Sequence, residues 1–467
     1  MSNIAIIPID NRPVCYNLAA QISSLDRENK VFLPDISFMG TNKKPADINS
    51  ILCWLEELKN IDIVIIALDT IAYGGLVSSR KSNDDFFEIK ARIERLKDIL
   101  SKKNARIFAF SSIMRISNNN INDEEKEYWS EYGTKIYEYS YNIHKLEKTF
   151  KTTDLISKYT KGNIPPEILK DYTETRKRNF EINKYYIELK SQGIFNTLVF
   201  SKDDCAKFGL NVKEAEELEK LSEKIKDIYV KTGADEIPLS LISRALNSAK
   251  KTKIATIYTN PESINKISKY EDISVKNSVE SQIELAGGIL SNYEDCDLVL
   301  IVNNFKSEQG ELVMNVFESG YEKDLKIPNK PYFIADILNA NGADNLFVNT
   351  FFSKEFKKNF YGYSAWNTTG NSLGCAISTA LTYYNATRQN AGLFSEIQLI
   401  RFLDDWAYQA NIRSKIRDNE ENLSNGIINT KMETYSNFLK KQFNLNNVSI
   451  EYSFPWNRFF EIEVSIK

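Results

Sequence analysis

At 467 residues, 42% hydrophobic and 26% charged, the chain can bury a large core and is too apolar for global disorder. Its 60 Lys and Arg against 63 Asp and Glu leave a net charge of -3, which offers no overall attraction for nucleic acid or an anionic membrane. The five cysteines are scattered without a CxxC pair, which argues against zinc held by paired thiolates and points to a reducing, cytoplasmic setting.

The first residues run directly into a β-like apolar stretch, IAIIPI (4–9), followed by Asp10 and Arg12. They lack the basic start and longer apolar run of a secretory leader, and no segment approaches the roughly 18 apolar residues of a membrane helix. Similar runs recur at IVIIAL (63–68), RIFAFS (106–111), TLVFS (197–201), IATIYT (254–259), LVLIVN (298–303), YFIAD (332–336) and YGYSAW (361–366). Continuous apolar runs alternating with helical pattern indicate parallel strands buried on both faces. Eight of them match a (β/α)8 TIM-like barrel. VFLP (31–34) is a candidate ninth strand, and counting it favours the alternative, an open doubly wound parallel sheet.

Between the third and fourth runs, residues 118–195 carry two long helical patterns, the second opening on Pro165 and Pro166 as helices often do. This insertion is expected to pack as a helical hairpin over one edge or mouth of the barrel. The single histidine, His144, lies there in NIHKLEK, which reads as a solvated helix face. Triads, Cys-His pairs and His-rich metal sites would all need that one residue, so the chemistry falls to carboxylates, amides, hydroxyls or arginine. Arg176-Lys177-Arg178 also reads as a solvated face. Residues 1–390 are assigned to the barrel-like domain, and 391–467 to helices followed by an antiparallel hairpin, VSIEYSF and FFEIEVSI.

Ligands of parallel α/β folds bind at the carboxyl ends of the strands. Following the runs in order, those ends supply Asp10 and Arg12; Asp69 and Tyr73; Arg115; Asp203 and Asp204; Tyr258; Asn303; Asp336 and Asn339; and Trp366 and Asn367. Acids, amides and arginine suit sugar hydroxyls, and an aromatic face suits a sugar ring. Helix capping and turn formation account equally for Asp10 and Asp69.

Asp203-Asp204 is the sharpest feature. Adjacent carboxylates lie too close for an inverting glycosidase but suit cleavage assisted by the substrate's own acetamido oxygen, in which one carboxylate orients the amide and its neighbour is the general acid. The same pair could cap a helix or hold Mg²⁺ or Mn²⁺. Asp235-Glu236 and Asp404-Asp405 read mainly as structural, with Arg401 and Asp405 spaced to pair along a helix. Gly370 and Gly374, opening a helix after the last run, offer a rival site for a phosphorylated or other anionic ligand.

The motifs IPIDNRPVCY, LDTIAYGGLVSSR, RKRNFEIN, KDDCAKFG, GADEIPLSLISRAL, YSAWNTTGNSLG and RFLDDWAYQA resemble the bacterial family of unknown function DUF4127. That resemblance spans nearly the whole chain and implies no activity. Asp203-Asp204, Tyr258 and the later amides are also similar to the substrate-assisted β-N-acetylhexosaminidases of glycoside hydrolase families 84 and 20. That similarity implies Asp203 as the orienting residue, Asp204 as the acid, and Tyr258, Asn303 and Asn339 as ligands of the amide and ring hydroxyls. The chain lacks their Trp-Asp-Asn run after the sixth strand.

The expectation is therefore a cytoplasmic glycoside hydrolase that retains configuration at an N-acetylated sugar and needs no cofactor. Its partner is a small-molecule or oligosaccharide substrate, not nucleic acid or membrane. The alternatives are a Mg²⁺- or Mn²⁺-dependent enzyme on a phosphorylated or acidic small molecule, and a non-enzymatic sugar-binding protein.

Overall fold

The structure, a computed structural model, describes residues 1–150, 164–317, 325–418, 423 and 425–467. Strands β1 (Asn3–Ile7), β2 (Lys30–Phe32), β3 (Ile63–Ala67), β4 (Arg106–Ile113), β5 (Thr197–Lys202) and β6 (Ile228–Thr232) form one parallel sheet in the order β2-β1-β3-β4-β5-β6. The chain continues through β7 (Lys253–Tyr258), β8 (Ile289–Leu290), β9 (Leu298–Asn303), β10 (Gly310–Glu311), β11 (Tyr332–Asp336), β12 (Asn339–Ala340) and β13 (Phe360–Ser364). Five of these form a second parallel sheet, β13-β11-β9-β7-β8, while β10 and β12 pair with each other.

Both sheets repeat one winding: the first strand lies between the second and the third, and later strands add beyond the third. This is the open, doubly wound arrangement. The eight strands expected in a closed TIM-like barrel do not close. Closure requires the last strand to pair with the first, but β2 and β6 are edges of one sheet and β13 and β8 edges of the other. The helix Ile237–Asn247 carries the chain from β6 to β7 and so from one sheet to the next.

Side chains alternate across each strand, as the pleat demands. Ile4, Ile6, Ile63, Ile65, Phe108 and Phe110 enter a central core shared with Val299, Ile301, Tyr332 and Ile334 of the second sheet, with the helices Pro13–Ser23 and Ile237–Asn247 filling it. Ala5, Ile7, Val64 and Ile66 face outward onto the helices Ile48–Glu57, Phe86–Ser101 and Pro166–Ser191. Leu298, Leu300, Val302 and Phe333 face Val275–Leu285 and Thr369–Tyr384.

The insertion provides the helices Trp129–Phe150 and Pro166–Ser191, the second packed on the outer face of the first sheet; residues 151–163 lie outside the described residues. Two expected solvated faces are buried in part, although Lys177 is exposed as expected. His144 is 2% exposed: Gly209 N donates to its Nδ1 at 3.1 Å and Phe208 packs edge-on against the ring. Arg176 is 3% exposed, donating to Glu214 and to the Met114 carbonyl, each at 2.7 Å, while Arg178 donates to the carbonyls of Ser79, Ser82 and Asp84. Basic residues can bury here because loop carbonyls and an acid meet their donors.

Beyond Ala391–Arg401 the chain runs through a π-helical segment, Phe402–Ile412, in which Arg401 pairs with Asp404 and Asp405, both at 3.1 Å. The helix Asn425–Gln442 follows, and then β14 (Ile450–Ser453) and β15 (Glu463–Ile466) pair antiparallel. Among the described residues no helix is long and apolar enough to cross a membrane.

Candidate functional site

The carboxyl edges of the two sheets converge on a cavity of about 450 Å³. Arg12, Arg115, Asp203, Asp204 and Asp235 reach it from the first sheet. Asn367 and Asn371 reach it from the second, Glu311 and Asn341 from the β10–β12 pair, and Trp456, Arg458 and Phe460 from the loop between β14 and β15. Backbone strain is concentrated here. Of the twelve non-glycine residues with positive φ among the described residues, five line this cavity: Asp204, Tyr270, Asn341, Asn367 and Trp456. Asn and Asp tolerate that conformation, but for the bulky Tyr270 (φ 65°) and Trp456 (φ 56°) it costs energy that surrounding contacts must offset. Strain of this kind collects at functional sites, which singles out this cavity.

At one wall Arg12 sits between two carboxylates. It donates to Asp10 from Nε and Nη2 and to Asp235 from Nη1 and Nη2, at 2.7–3.0 Å, all buried. Its guanidinium lies 5.0 Å from the Trp456 ring centre, Arg458 lies 4.5 Å from the same ring, and Trp456 Nε1 donates to Asn11 Oδ1 at 2.7 Å. The loop between β14 and β15 is thus tied to the residues following β1.

The paired aspartates occupy a second wall. Successive side chains of a strand point to opposite faces, and the left-handed turn at Asp204 (φ 31°) lets both line one cavity. Asp204 pairs with Arg115 at 3.4 Å and Asp203 with Arg80 at 3.6 Å. Glu124 binds Arg80, Arg115 and Arg458 at 3.2, 2.9 and 2.5 Å. Although burial opposes its charge, Arg115, Arg80 and Arg458 hold the Glu124 carboxyl well below the usual range. Asp203 behaves oppositely: burial, reinforced by the Asp204 charge, raises it to about 7 against the pull of Arg115 and Arg80. Its buried Oδ2 has no hydrogen-bond partner.

The helix Thr369–Tyr384 begins at the third wall, where its N-terminus already faces two buried acids. Gly370 N donates to Glu271 at 2.9 Å, and Asn371 Nδ2 donates to Glu236 at 2.9 Å. A Cβ on Gly374 would lie 2.3 Å from Glu236 Cγ, so this glycine makes room for a carboxylate of the protein. That occupancy argues against the expected phosphate site at this N-terminus. Burial raises Glu236 to about 8 and Glu271 to about 7.

A carboxyl raised on folding binds its proton more tightly in the native state, so its stabilising contribution is complete below the unfolded value and is lost as pH rises through the folded one. The urea midpoint is therefore expected to fall as pH rises from about 5 through 8. Glu236→Gln should flatten part of that fall, and an unchanged slope in the variant would remove Glu236 as a cause.

Of the residues expected from sequence, Arg12, Arg115, Asp203, Asp204 and Asn367 line the cavity, with Asp10 directly behind Arg12. The others do not line it. Asp69 accepts from Ser112 N at 2.8 Å, bracing β3 against β4, and Tyr73 is buried beneath Arg178. Tyr258 packs on the outer face of the second sheet. Asn303 donates to Asp336, which also accepts from Asp344 N and the Tyr363 hydroxyl. Asn339 is buried against Gly310, and Trp366 is buried near Arg401. The structure therefore does not gather Tyr258, Asn303 and Asn339 around the aspartates, as the hexosaminidase resemblance implied, because Tyr258 lies on the outer face of its sheet and Asn303 and Asn339 are taken up by neighbours of their own.

Sequence reading passed over Glu124, Tyr270, Glu271, Trp456 and Arg458. The β14–β15 connection held a sign: at nine residues, 454–462, it is longer than a tight hairpin turn and carries Trp and Arg.

Seven acidic and five basic side chains line the cavity, but two of the acids, Asp203 and Glu271, are raised to about 7, so near neutral pH the lining carries no marked excess of either charge. Among the described residues no group of three or more His, Cys, Asp or Glu is placed to hold a metal ion. Fold and site together define an α/β protein whose two doubly wound parallel sheets share an apolar core and meet, at their carboxyl edges, in a charged, aromatic-walled cleft. Residues 4–465 match the family model described as "Protein of unknown function (DUF4127)", and the chain belongs to that family. No curated protein and no solved structure matches it.

Proposed function

We propose that the protein is a hydrolase acting on a carbohydrate, cleaving an N-acetylated sugar with retention through the Asp203-Asp204 pair. The observation that carries this reading is the state of Asp203: a half-buried carboxyl at a cavity wall, its Oδ2 facing Arg80 at 3.6 Å but without a hydrogen-bond partner, with an affinity for its proton suited to a general acid near neutral pH. The roles are therefore the reverse of those the resemblance implied. Asp203 protonates the glycosidic oxygen while the substrate's acetamido oxygen attacks the anomeric carbon. Asp204, held by Arg115, orients the acetamido N–H. Water then opens the cyclic intermediate, and Asp203 takes its proton back.

Tyr270 lines the cavity with an aromatic ring, and Asn341 and Asn367 line it with amides suited to sugar hydroxyls. A panel of aryl N-acetylhexosaminides tests the proposal, with NMR following the first-formed sugar. Turnover giving the substrate's own anomer supports it. Thermal stabilisation without hydrolysis would assign a sugar-binding protein instead, and neither effect with any member of the panel would end the carbohydrate reading.

A further inference from the structure

The cavity is chemically graded. Its depth is polar and largely buried, with Asp235 and Glu271 buried and Asp203 half-buried at the walls, whereas two large apolar side chains stand in water where it opens. Ile121 is 62% exposed and Met314 is 67% exposed, and both line this cavity. They come from different sheets, Ile121 following β4 and Met314 following β10.

Neither is a loose loop residue. Asn119 Oδ1 accepts from Ile121 N at 2.9 Å, and Asn120 Oδ1 accepts from Thr134 N at 2.9 Å, which fixes the turn that presents Ile121. On the facing side, the buried Glu311 carboxylate accepts from Val313 N at 3.2 Å and Met314 N at 2.5 Å, and Arg417 holds the Val313 carbonyl at 3.0 Å. Two independently braced turns thus hold apolar side chains in solvent above a polar floor. Val313, Leu76 and Val77 extend the apolar lining. Single exposed hydrophobics are ordinary, but two that converge on one opening form an apolar collar, and the unbranched, polarizable Met suits ligands of varied shape.

We propose that this collar is a second subsite, which takes an apolar alkyl or aryl group attached to the polar unit held at the floor, so that the substrate is an amphiphile. This rests on the carbohydrate reading for the polar unit alone; the collar itself follows from Ile121 and Met314.

The experiment measures binding by thermal shift for two ligand series, n-alkyl N-acetyl-β-glucosaminides and n-alkane-1,2-diols, each from methyl or ethyl to octyl. It compares wild type with Ile121→Ser/Met314→Ser, whose exposed positions leave the core intact. In wild type, affinity is expected to climb with chain length, by about tenfold or more overall, and in the double variant the climb should largely vanish. If the methyl glucosaminide binds but longer chains bind no better, the collar is overturned and the sugar reading stands. If no glucosaminide binds while the diols show a chain-length gain that the double variant loses, the sugar reading fails and the collar stands. Absence of any chain-length gain in both series, or an equal gain in the double variant, overturns the collar.

Discussion

Arg12→Met is expected to destabilise the protein by about 3–5 kcal/mol, read as a drop in the urea midpoint at pH 7. The magnitude follows from what the change strands rather than from what it deletes. Arg12 neutralises Asp10 and Asp235 together, and all three side chains are at most 10% exposed. Methionine fills much of the arginine stem's volume but leaves two carboxylates side by side in a site with little water. Burial, in the presence of the Asp235 charge, already raises Asp10 despite its bonds to Arg12, and without the guanidinium that tendency goes unopposed. The variant should regain part of its loss as pH is lowered and these acids take up protons. A midpoint within experimental error of wild type at pH 7 would show that water reaches the pair and that the buried triad contributes nothing.

The second large effect concerns Asp203. Once a hydrolysed glycoside is in hand, Asp203→Asn should lower kcat/KM, which reports the bond-breaking step alone, by about 10²–10⁴-fold for alkyl glycosides, the range that a positioned general acid supplies. The loss should be much smaller for nitrophenyl glycosides, whose leaving oxygen needs little help from a proton. The pH profile carries a second test. Asp203 must hold its proton to act, so wild-type activity should decline as pH rises through about 7, and that limb should be missing in the variant. An equal loss for both leaving groups would reduce Asp203 to a structural residue, whatever the size of the loss.

Strands were more legible than their partnership. The runs that became β1, β3, β4, β5, β9, β11 and β13 were visible because strands buried on both faces run apolar almost throughout, and β7 showed as an apolar run although its last three residues are partly exposed. VFLP contributed β2. The strand β6, IYVKT, escaped because an edge strand pairs on one side only and is half-buried along most of its length. With β6 unseen, eight runs suggested a closed ring. Nothing in apolar periodicity tells which strands share hydrogen bonds, so the break between β6 and β7 had no signature.

The site divides along similar lines. Arg12, Arg115, Asp203, Asp204 and Asn367 could be found because strand ends are where parallel sheets place ligands. The same rule pointed to Asn303 and Asp336, yet in the second sheet these groups satisfy one another. Thr259, Asn260 and Asn304 likewise tie β7 to β9 through side-chain bonds to backbone, with Asn260 Nδ2 donating to the Asn304 carbonyl at 2.6 Å and Asn304 Nδ2 to the Asn260 carbonyl at 2.8 Å. The crevice at which a doubly wound sheet ordinarily takes its ligand is stitched shut there. A polar residue at a strand end announces a need for hydrogen bonds, and its sequence does not say whether a ligand or a neighbour will meet it.

The indole bond from Trp456 to Asn11 bridges 445 positions of sequence. The outer packing of the first sheet draws on residues between Ala5 and Val230, so it can consolidate early as the polypeptide emerges during translation. The ligand chamber has no such head start. Arg12 and Asp203 are made early, but the aromatic and basic groups that complete their enclosure arrive only with residues 456–460. Contacts of so long a span are entropically the slowest to form, so competence to bind should lag behind helix and sheet formation in refolding kinetics.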